Sequence, residues 1–248
     1  VTAPPVVLFD LDDTIMAHRE AVEAGILLHM RRRGYRGDVA TAQRHWYELE
    51  ERHYHEYLAG LLSFEGQRRT RAAAFAGAFG ETLDDAEASA WFAEYFEGYR
   101  ASWSMHDDAL PVLERLTEAV PGVRLGIITN GELDYQQSKL ARLGLDGRFE
   151  HVVASGSVGA TKPDAAIFEA ALARFDDTPP EQAVYVGDRL RTDAIGAAQA
   201  GLLGVWLNRR GERAEAGESD EARALGVREI RGLDELVPIA TERLRGIR

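Results

Sequence analysis

The sequence predicts an α/β protein, a doubly wound parallel sheet whose chain is interrupted by an all-α insertion. Three observations carry this expectation. Short apolar runs with few alternating polar residues recur along the chain, as strands buried on both faces require. After the second of them, helix-length segments separate one run from the next, as in βαβ units. One long stretch, from about Ala17 to Met105, shows amphipathic helical spacing and no convincing strand.

The first strand is Val6–Phe9, and the helical insertion begins shortly after it. Within the insertion, His18–Arg33 carries Val22, Ile26, Leu27 and Met30 on one side and stops at Gly34. Thr41–Leu62 is rich in aromatics (Trp46, Tyr47, Tyr54, Tyr57), and Phe64–Phe79 and Leu83–Tyr99 follow, punctuated by Gly80. The expected division is therefore residues 1–16 with 106–248 for the sheet domain and 17–105 for a small helical domain. The second strand is Val123–Ile128. A helix over Leu133–Leu143 follows, with Leu133, Leu140 and Leu143 at helical spacing and Gly144 just past its end. Strands His151–Ala154, Ala183–Val186 and Gly204–Leu207 complete the series, with helices over Ala165–Phe175 and Asp193–Ala200 between them. Arg209–Gly226 is charged, alanine-rich and glycine-punctuated, and reads as a solvated loop with a short helix.

Composition narrows the function. The 248 residues suit one large domain or a core with a modest second one. There are no cysteines, which excludes disulfides, thiolate nucleophiles and cysteine-ligated metal centres. A formal charge of −12 argues against nucleic acid as a partner, since backbone phosphates call for a basic face. The longest apolar runs, such as Val6–Phe9 and Ile26–Leu28, are too short to cross a bilayer. No basic stretch followed by an apolar one opens the sequence, so a cytoplasmic location without membrane association is the expectation.

Chemistry collects at the carboxyl ends of the strands, where open α/β sheets place ligands. The first strand runs into Asp10-Leu11-Asp12-Asp13-Thr14. In an extended chain, Asp10 and Asp12 point the same way and repel each other unless a cation or a proton sits between them. Magnesium accepts such hard oxygen ligands. The second strand ends in Thr129-Asn130-Gly131, whose hydroxyl and backbone N–H groups suit phosphate oxygens, although the same residues would serve as a helix cap. Lys162, before Pro163 in the loop after the third strand, can reach a bound anion. The fourth strand delivers Asp188, the candidate metal ligand, and Asp193 stands at the start of the next helix. Asp193 reads equally as an outer metal ligand or as an N-terminal helix carboxylate. Four such motifs in order, each at the same end of a successive strand, specify carboxylates for a metal and a threonine and a lysine for an anion.

In this order, FDLDDTI, ITNG, the lysine of TKPD and GDRLRTD resemble the four motifs of the haloacid dehalogenase-like hydrolase superfamily. The resemblance covers Val6 to about Leu207. It implies a Rossmann-like core and places the helical insertion, between the first and second motifs, as the cap of subfamily I. Carried over by position, it makes Asp10 the nucleophile that forms an aspartyl-phosphate, and Asp12 the general acid and base. Magnesium would be held by Asp10, Asp188 and the backbone carbonyl of Asp12, while Thr129, Asn130 and Lys162 would bind the phosphoryl group. The implied activity is magnesium-dependent hydrolysis of a small phosphate monoester, a nucleoside monophosphate or sugar phosphate. A phosphomutase on the same core, or a non-catalytic binder of a phosphorylated ligand, is the alternative. The family's dehalogenases lack the second aspartate of the first motif, which is present here as Asp12.

ITNGELDYQQSKLARLGL and SGSVGATKPDAAIFEAAL are most similar to a subgroup containing pyrimidine 5′-nucleotidases and acylneuraminate 9-phosphatases. In the cap, Arg68, Arg69 and Arg71 read either as substrate contacts or as solvated helix residues. Trp46, Tyr47, Tyr54 and Tyr57 read either as a stacking surface or as core. His53 and His55 lie two apart, on different faces of a helix, and do not form a metal pair. Neither the substrate nor the oligomeric state follows from these residues.

Overall fold

The computed structural model describes residues 4–245. The chain divides into two compact units: one runs up to Ala17 and resumes at Met105, and the other is His18–Ser104.

The first unit is built on a six-stranded, wholly parallel sheet in the order β3-β2-β1-β4-β5-β6. The strands are β1 (Val6–Phe9), β2 (Arg124–Thr129), β3 (His151–Ala154), β4 (Ala183–Gly187), β5 (Leu203–Leu207) and β6 (Arg228–Ile230). This is the Rossmann-like order, and it reverses direction beside β1, between β2 and β4. At such a switch point the connections leave toward opposite sides, and a crevice opens at the carboxyl ends of the strands. All four residues of β1 and all five of β4 are buried, which is why both read as unbroken apolar runs.

Eleven helices accompany the strands among the described residues: α1 (His18–Arg33), α2 (Val39–Leu58), α3 (Phe64–Gly77), α4 (Asp85–Ala101), α5 (Ala109–Ala119), α6 (Leu133–Arg142), α7 (Ser155–Val158), α8 (Ala165–Ala173), α9 (Gly196–Gln199), α10 (Glu218–Ala224) and α11 (Leu236–Arg245). Sequence reading missed α5, β6 and α11. It also expected a regular helix over Asp193–Ala200. The chain instead makes a wider, π-helical turn over Leu190–Ile195 before α9. The segment Arg209–Gly226 contains the short α10, and Arg209 pairs with Asp108 at 2.8 Å and donates to the Thr14 carbonyl at 3.2 Å.

The second unit is α1–α4. Local side chains start α2, α3 and α4: Asp38 accepts from the Thr41 N–H, Ser63 from the Gly66 N–H, and Asp84 forms a reciprocal box with Glu87. Its centre is aromatic. Trp46 lies 5.3 Å from Phe75, 5.4 Å from Trp91 and 4.7 Å from Tyr95, ring centre to ring centre. Trp46 is therefore core, whereas Tyr47, Tyr54 and Tyr57 are only half-buried. Arg71 departs from both sequence readings. It is buried, 3.1 Å from Glu50, with its guanidinium 4.5 Å above the Trp46 ring. No helix among the described residues is long and apolar enough to cross a membrane.

Candidate active site

Asp10 stands one residue beyond β1, and its N–H donates to the Val186 carbonyl at 2.9 Å, so the ladder fixes its backbone. The chain then turns tightly. The N–H groups of Ile15 and Met16 both donate to the Leu11 carbonyl, and Asp13 takes a positive φ of 60°. That turn keeps Asp10 and Asp12 at one edge of the sheet, where each meets a buried lysine.

Lys162 is the centre of the first pairing. Its Nζ lies 2.5 Å from Asp10 Oδ1, 2.7 Å from Asp193 Oδ1 and 2.8 Å from the Tyr185 hydroxyl. The backbone of Lys162 is clasped in turn by Asn130. The Lys162 N–H donates to Asn130 Oδ1 at 2.9 Å, and Asn130 Nδ2 donates to the Lys162 carbonyl at 3.3 Å. Asn130, an expected phosphate contact, thus sets the position of the lysine. Asp193 resolves in favour of neither sequence reading alone: it is buried, its Oδ2 accepts the Arg189 N–H at 2.9 Å, and its Oδ1 meets Lys162. Gly187 makes room for it, since a Cβ there would stand 2.4 Å from Asp193 Cγ.

The second pairing was not foreseen. Lys139, on α6, is fully buried, and its Nζ lies 2.7 Å from both carboxylate oxygens of Asp12. One turn earlier on the same helix, Gln136 Nε2 donates to Thr129 Oγ1 at 2.8 Å and to the Asn130 carbonyl at 3.2 Å, and lies 3.5 Å from Asp12 Oδ2. Thr129 closes β2 and is buried. Its oxygen accepts from Gln136, so its own proton is free to point elsewhere.

Carboxylates outnumber cations here. Burial raises the Asp10 carboxyl to about 7 against the pull of Lys162, and Asp193 and Asp12 add to the rise. Asp188 is pushed well above the usual carboxylate range by burial and then by Asp193 and Asp10. Both lysines stay charged despite burial: Asp10 and Asp193 raise Lys162, and Asp12 raises Lys139. One oxygen each from Asp10, Asp188 and Asp193 lies within 4.8 Å of the others, so this hard-oxygen group could hold a metal ion. The donor chemistry fits a small dication, which would relieve the repulsion that the two ammonium groups leave unbalanced. Trp206 Nε1 anchors the Asp188 carbonyl at 2.9 Å.

Sequence reasoning missed Lys139, Gln136 and Tyr185. Two signals were present. A tyrosine in the fully buried β4 must find a partner for its hydroxyl, and Gln136 and Lys139 share the face of α6 that carries Leu140.

A parallel sheet with two aspartates, a threonine and a lysine gathered at its switch point is an α/β architecture with a charged group at the edge where such sheets place ligands. The particular family follows from comparison. Residues 4–201 match the haloacid dehalogenase-like hydrolases, and the chain belongs to that family. It is 32% identical over 243 residues to a phosphoserine phosphatase of Thermus thermophilus, an alignment spanning 90% of this chain and 96% of that one. It is 39% identical over 100 residues to the pyrimidine 5′-nucleotidase YjjG of Escherichia coli, spanning 40% and 44% of the two chains. The magnesium-bound HAD-hydrolase YfnB of Bacillus subtilis superposes with a TM-score of 0.77 over 96% of this chain and 99% of its own. At 21% identity that likeness is one of fold.

Proposed function

We propose that this protein is a magnesium-dependent phosphatase that hydrolyses a small phosphate monoester through an aspartyl-phosphate on Asp10. The observation that carries the reading is the pairing of Asp10 and Asp12, adjacent at the switch point, with two different buried lysines. Two carboxylates held in different surroundings can take different roles. Asp10, with Oδ1 fixed by Lys162, attacks phosphorus in line as the bond from phosphorus to the ester oxygen breaks. Asp12 gives its proton to the departing oxygen. Asp12 then takes a proton from water as that water attacks phosphorus, the bond from Asp10 to phosphorus breaks, and inorganic phosphate leaves.

Thr129 offers an O–H to the phosphoryl oxygens, Lys162 brings positive charge to the same group, and Asn130 holds Lys162 in place. Magnesium would be held by Asp10, Asp188 and the backbone carbonyl of Asp12, with Asp193 behind them. It supplies positive charge against the phosphoryl oxygens. The presence of Asp12 supports phosphoryl transfer to water over dehalogenation, which has no alkoxide to protonate. Relatives named for phosphoserine, glyceraldehyde 3-phosphate and a pyrimidine nucleotide support a small phosphorylated metabolite as substrate, and a nucleoside monophosphate or sugar phosphate is the class proposed here.

The test is phosphate release from phosphoserine, nucleoside monophosphates, sugar phosphates and phosphoglycolate, each with magnesium and with chelator. Release that needs magnesium and stops with chelator is the expected result. A folded protein that releases nothing from any compound overturns the phosphatase reading, and release untouched by chelator overturns the metal.

A further inference from the structure

Lys139 has a place in the site that the four motifs do not assign. It is 2% exposed and projects from α6; its ammonium holds both oxygens of Asp12 at 2.7 Å and lies 4.8 Å from the centre of the Tyr135 ring. A buried ammonium is costly unless paired, so the pairing and the orientation of Asp12 are set together. Gln136 reinforces the arrangement one helical turn away. Its amide nitrogen faces Thr129 Oγ1, the Asn130 carbonyl and Asp12 Oδ2, and its buried Oε1 has no hydrogen-bond partner. A rival role for Lys139, as a cation that simply attracts the substrate's phosphate, is the natural comparison. The geometry favours the carboxylate, because two equal contacts fix the plane of Asp12 rather than leaving Nζ turned toward an incoming anion.

We propose that Lys139 is a positioning residue for Asp12, and that proton transfer by Asp12 to the leaving oxygen depends on the two contacts it makes. This rests on the reading of Asp12 as general acid. An alkyl phosphate leaves as a strongly basic alkoxide that needs the proton, whereas an activated aryl phosphate leaves as a weakly basic phenolate that does not. The constant kcat/KM covers the steps through transfer of the phosphoryl group to Asp10, so it isolates this event from hydrolysis of the intermediate.

The experiment measures kcat/KM for an alkyl phosphate and for 4-nitrophenyl phosphate, with magnesium, in the unsubstituted chain and in Lys139→Met, Lys139→Arg, Asp12→Asn and the double variant Asp12→Asn/Lys139→Met. Lys139→Met is expected to lose roughly 100-fold on the alkyl ester and under about tenfold on the aryl ester. Lys139→Arg restores part of the alkyl activity. The double variant falls no lower than Asp12→Asn alone, because residues acting as a unit are not additive. Equal losses on both esters in Lys139→Met, or a double variant lower by the full Lys139→Met factor, overturns the proposal and assigns Lys139 to phosphate attraction or to the fold. If Lys139→Met does not fold, Lys139→Gln takes its place with the same expectations. Leaving-group selectivity in Asp12→Asn that is missing from the Lys139 variants sinks this inference alone. Its absence from Asp12→Asn itself sinks the general-acid reading and the inference with it.

Discussion

At the scale of single residues, the motif side chains are legible because each follows an apolar strand, and position at a strand end constrains what a side chain can reach. Asp10, Asp12, Thr129, Lys162 and Asp188 all lie at one edge for that reason. What the motifs conceal is pairing. Nothing in the spacing of Lys139 to Asp12 announces a contact across 127 positions, nor did it reveal that Asn130 would clasp a lysine backbone. Buried titratable groups away from the site are equally hidden. His29, on α1, is 1% exposed, stands edge-on to Trp91 at 4.1 Å, and neither of its ring nitrogens has a hydrogen-bond partner. Burial first, then Arg33 and Arg32, lowers its pKa from 6.5 to about 4. Between those values the unfolded chain binds the proton that the folded chain refuses. Keeping His29 neutral therefore costs nothing in protons above about pH 6.5, and the stability of the fold declines as the pH falls toward 4. Removing an unsatisfied buried polar ring should help, so His29→Leu is expected to gain about 1 kcal/mol at pH 7.5. Urea unfolding at pH 7.5 and 5 checks both parts. A variant that keeps the wild-type pH slope shows that His29 is not its source.

At the scale of elements, long apolar runs and long amphipathic helices were readable, and α1 and β1 have the expected bounds. The elements missed have physical reasons. β6 is three residues long at the sheet's edge, with Arg228 and Glu229 exposed, so it lacks the apolar signature of the inner strands. In α5, Pro111 reads as a breaker, yet it falls in the first turn, where its missing N–H has no partner to lose. The wide turn Leu190–Ile195 overlaps only the start of the helix expected over Asp193–Ala200, and its close packing on a neighbour is not visible in its own residues. That neighbour is β5. A Cβ at Gly204 would stand 2.0 Å from the Ala194 carbonyl oxygen, which belongs to the turn's backbone and cannot swing aside. Gly204→Ala should therefore push the turn off the sheet at a cost of about 1–3 kcal/mol or more, as overpacking does. The turn carries Asp193, which holds Lys162, so the same substitution is expected to lower turnover as well as the urea midpoint. A midpoint within error of wild type would mean that the turn accommodates the methyl group and that the close approach is not a constraint.

At the scale of the whole molecule, the two units differ in how the chain builds them. The sheet unit is discontinuous: β1 lies between β2 and β4, and its hydrogen-bonded neighbours come from beyond the insertion. It cannot close until distant segments meet, which makes its formation a long-range event. His18–Ser104 is continuous, and its capping, aromatic and ion-pair contacts come from its own residues. Three of its four helices, α2, α3 and α4, carry their own N-caps, and its core is a ring cluster from the same three. It also contains its own buried ion pair. Burial works against the Glu50 carboxylate, but Arg71 and His18 lower it to about 2, so the pair stays charged at neutral pH. These features predict that His18–Ser104, expressed alone, folds to a helical unit with a cooperative thermal transition. Circular dichroism of the fragment tests this directly. Because Glu50 is depressed, the stabilisation it contributes should be present above about pH 4.5 and lost as the pH falls toward 2. A coil-like spectrum at neutral pH, or melting without a transition, would show that the aromatic cluster needs the sheet unit to form. Cooperative melting lost between pH 4.5 and 2, and absent from that range in Glu50→Gln, would show that the unit holds its charged pair by itself.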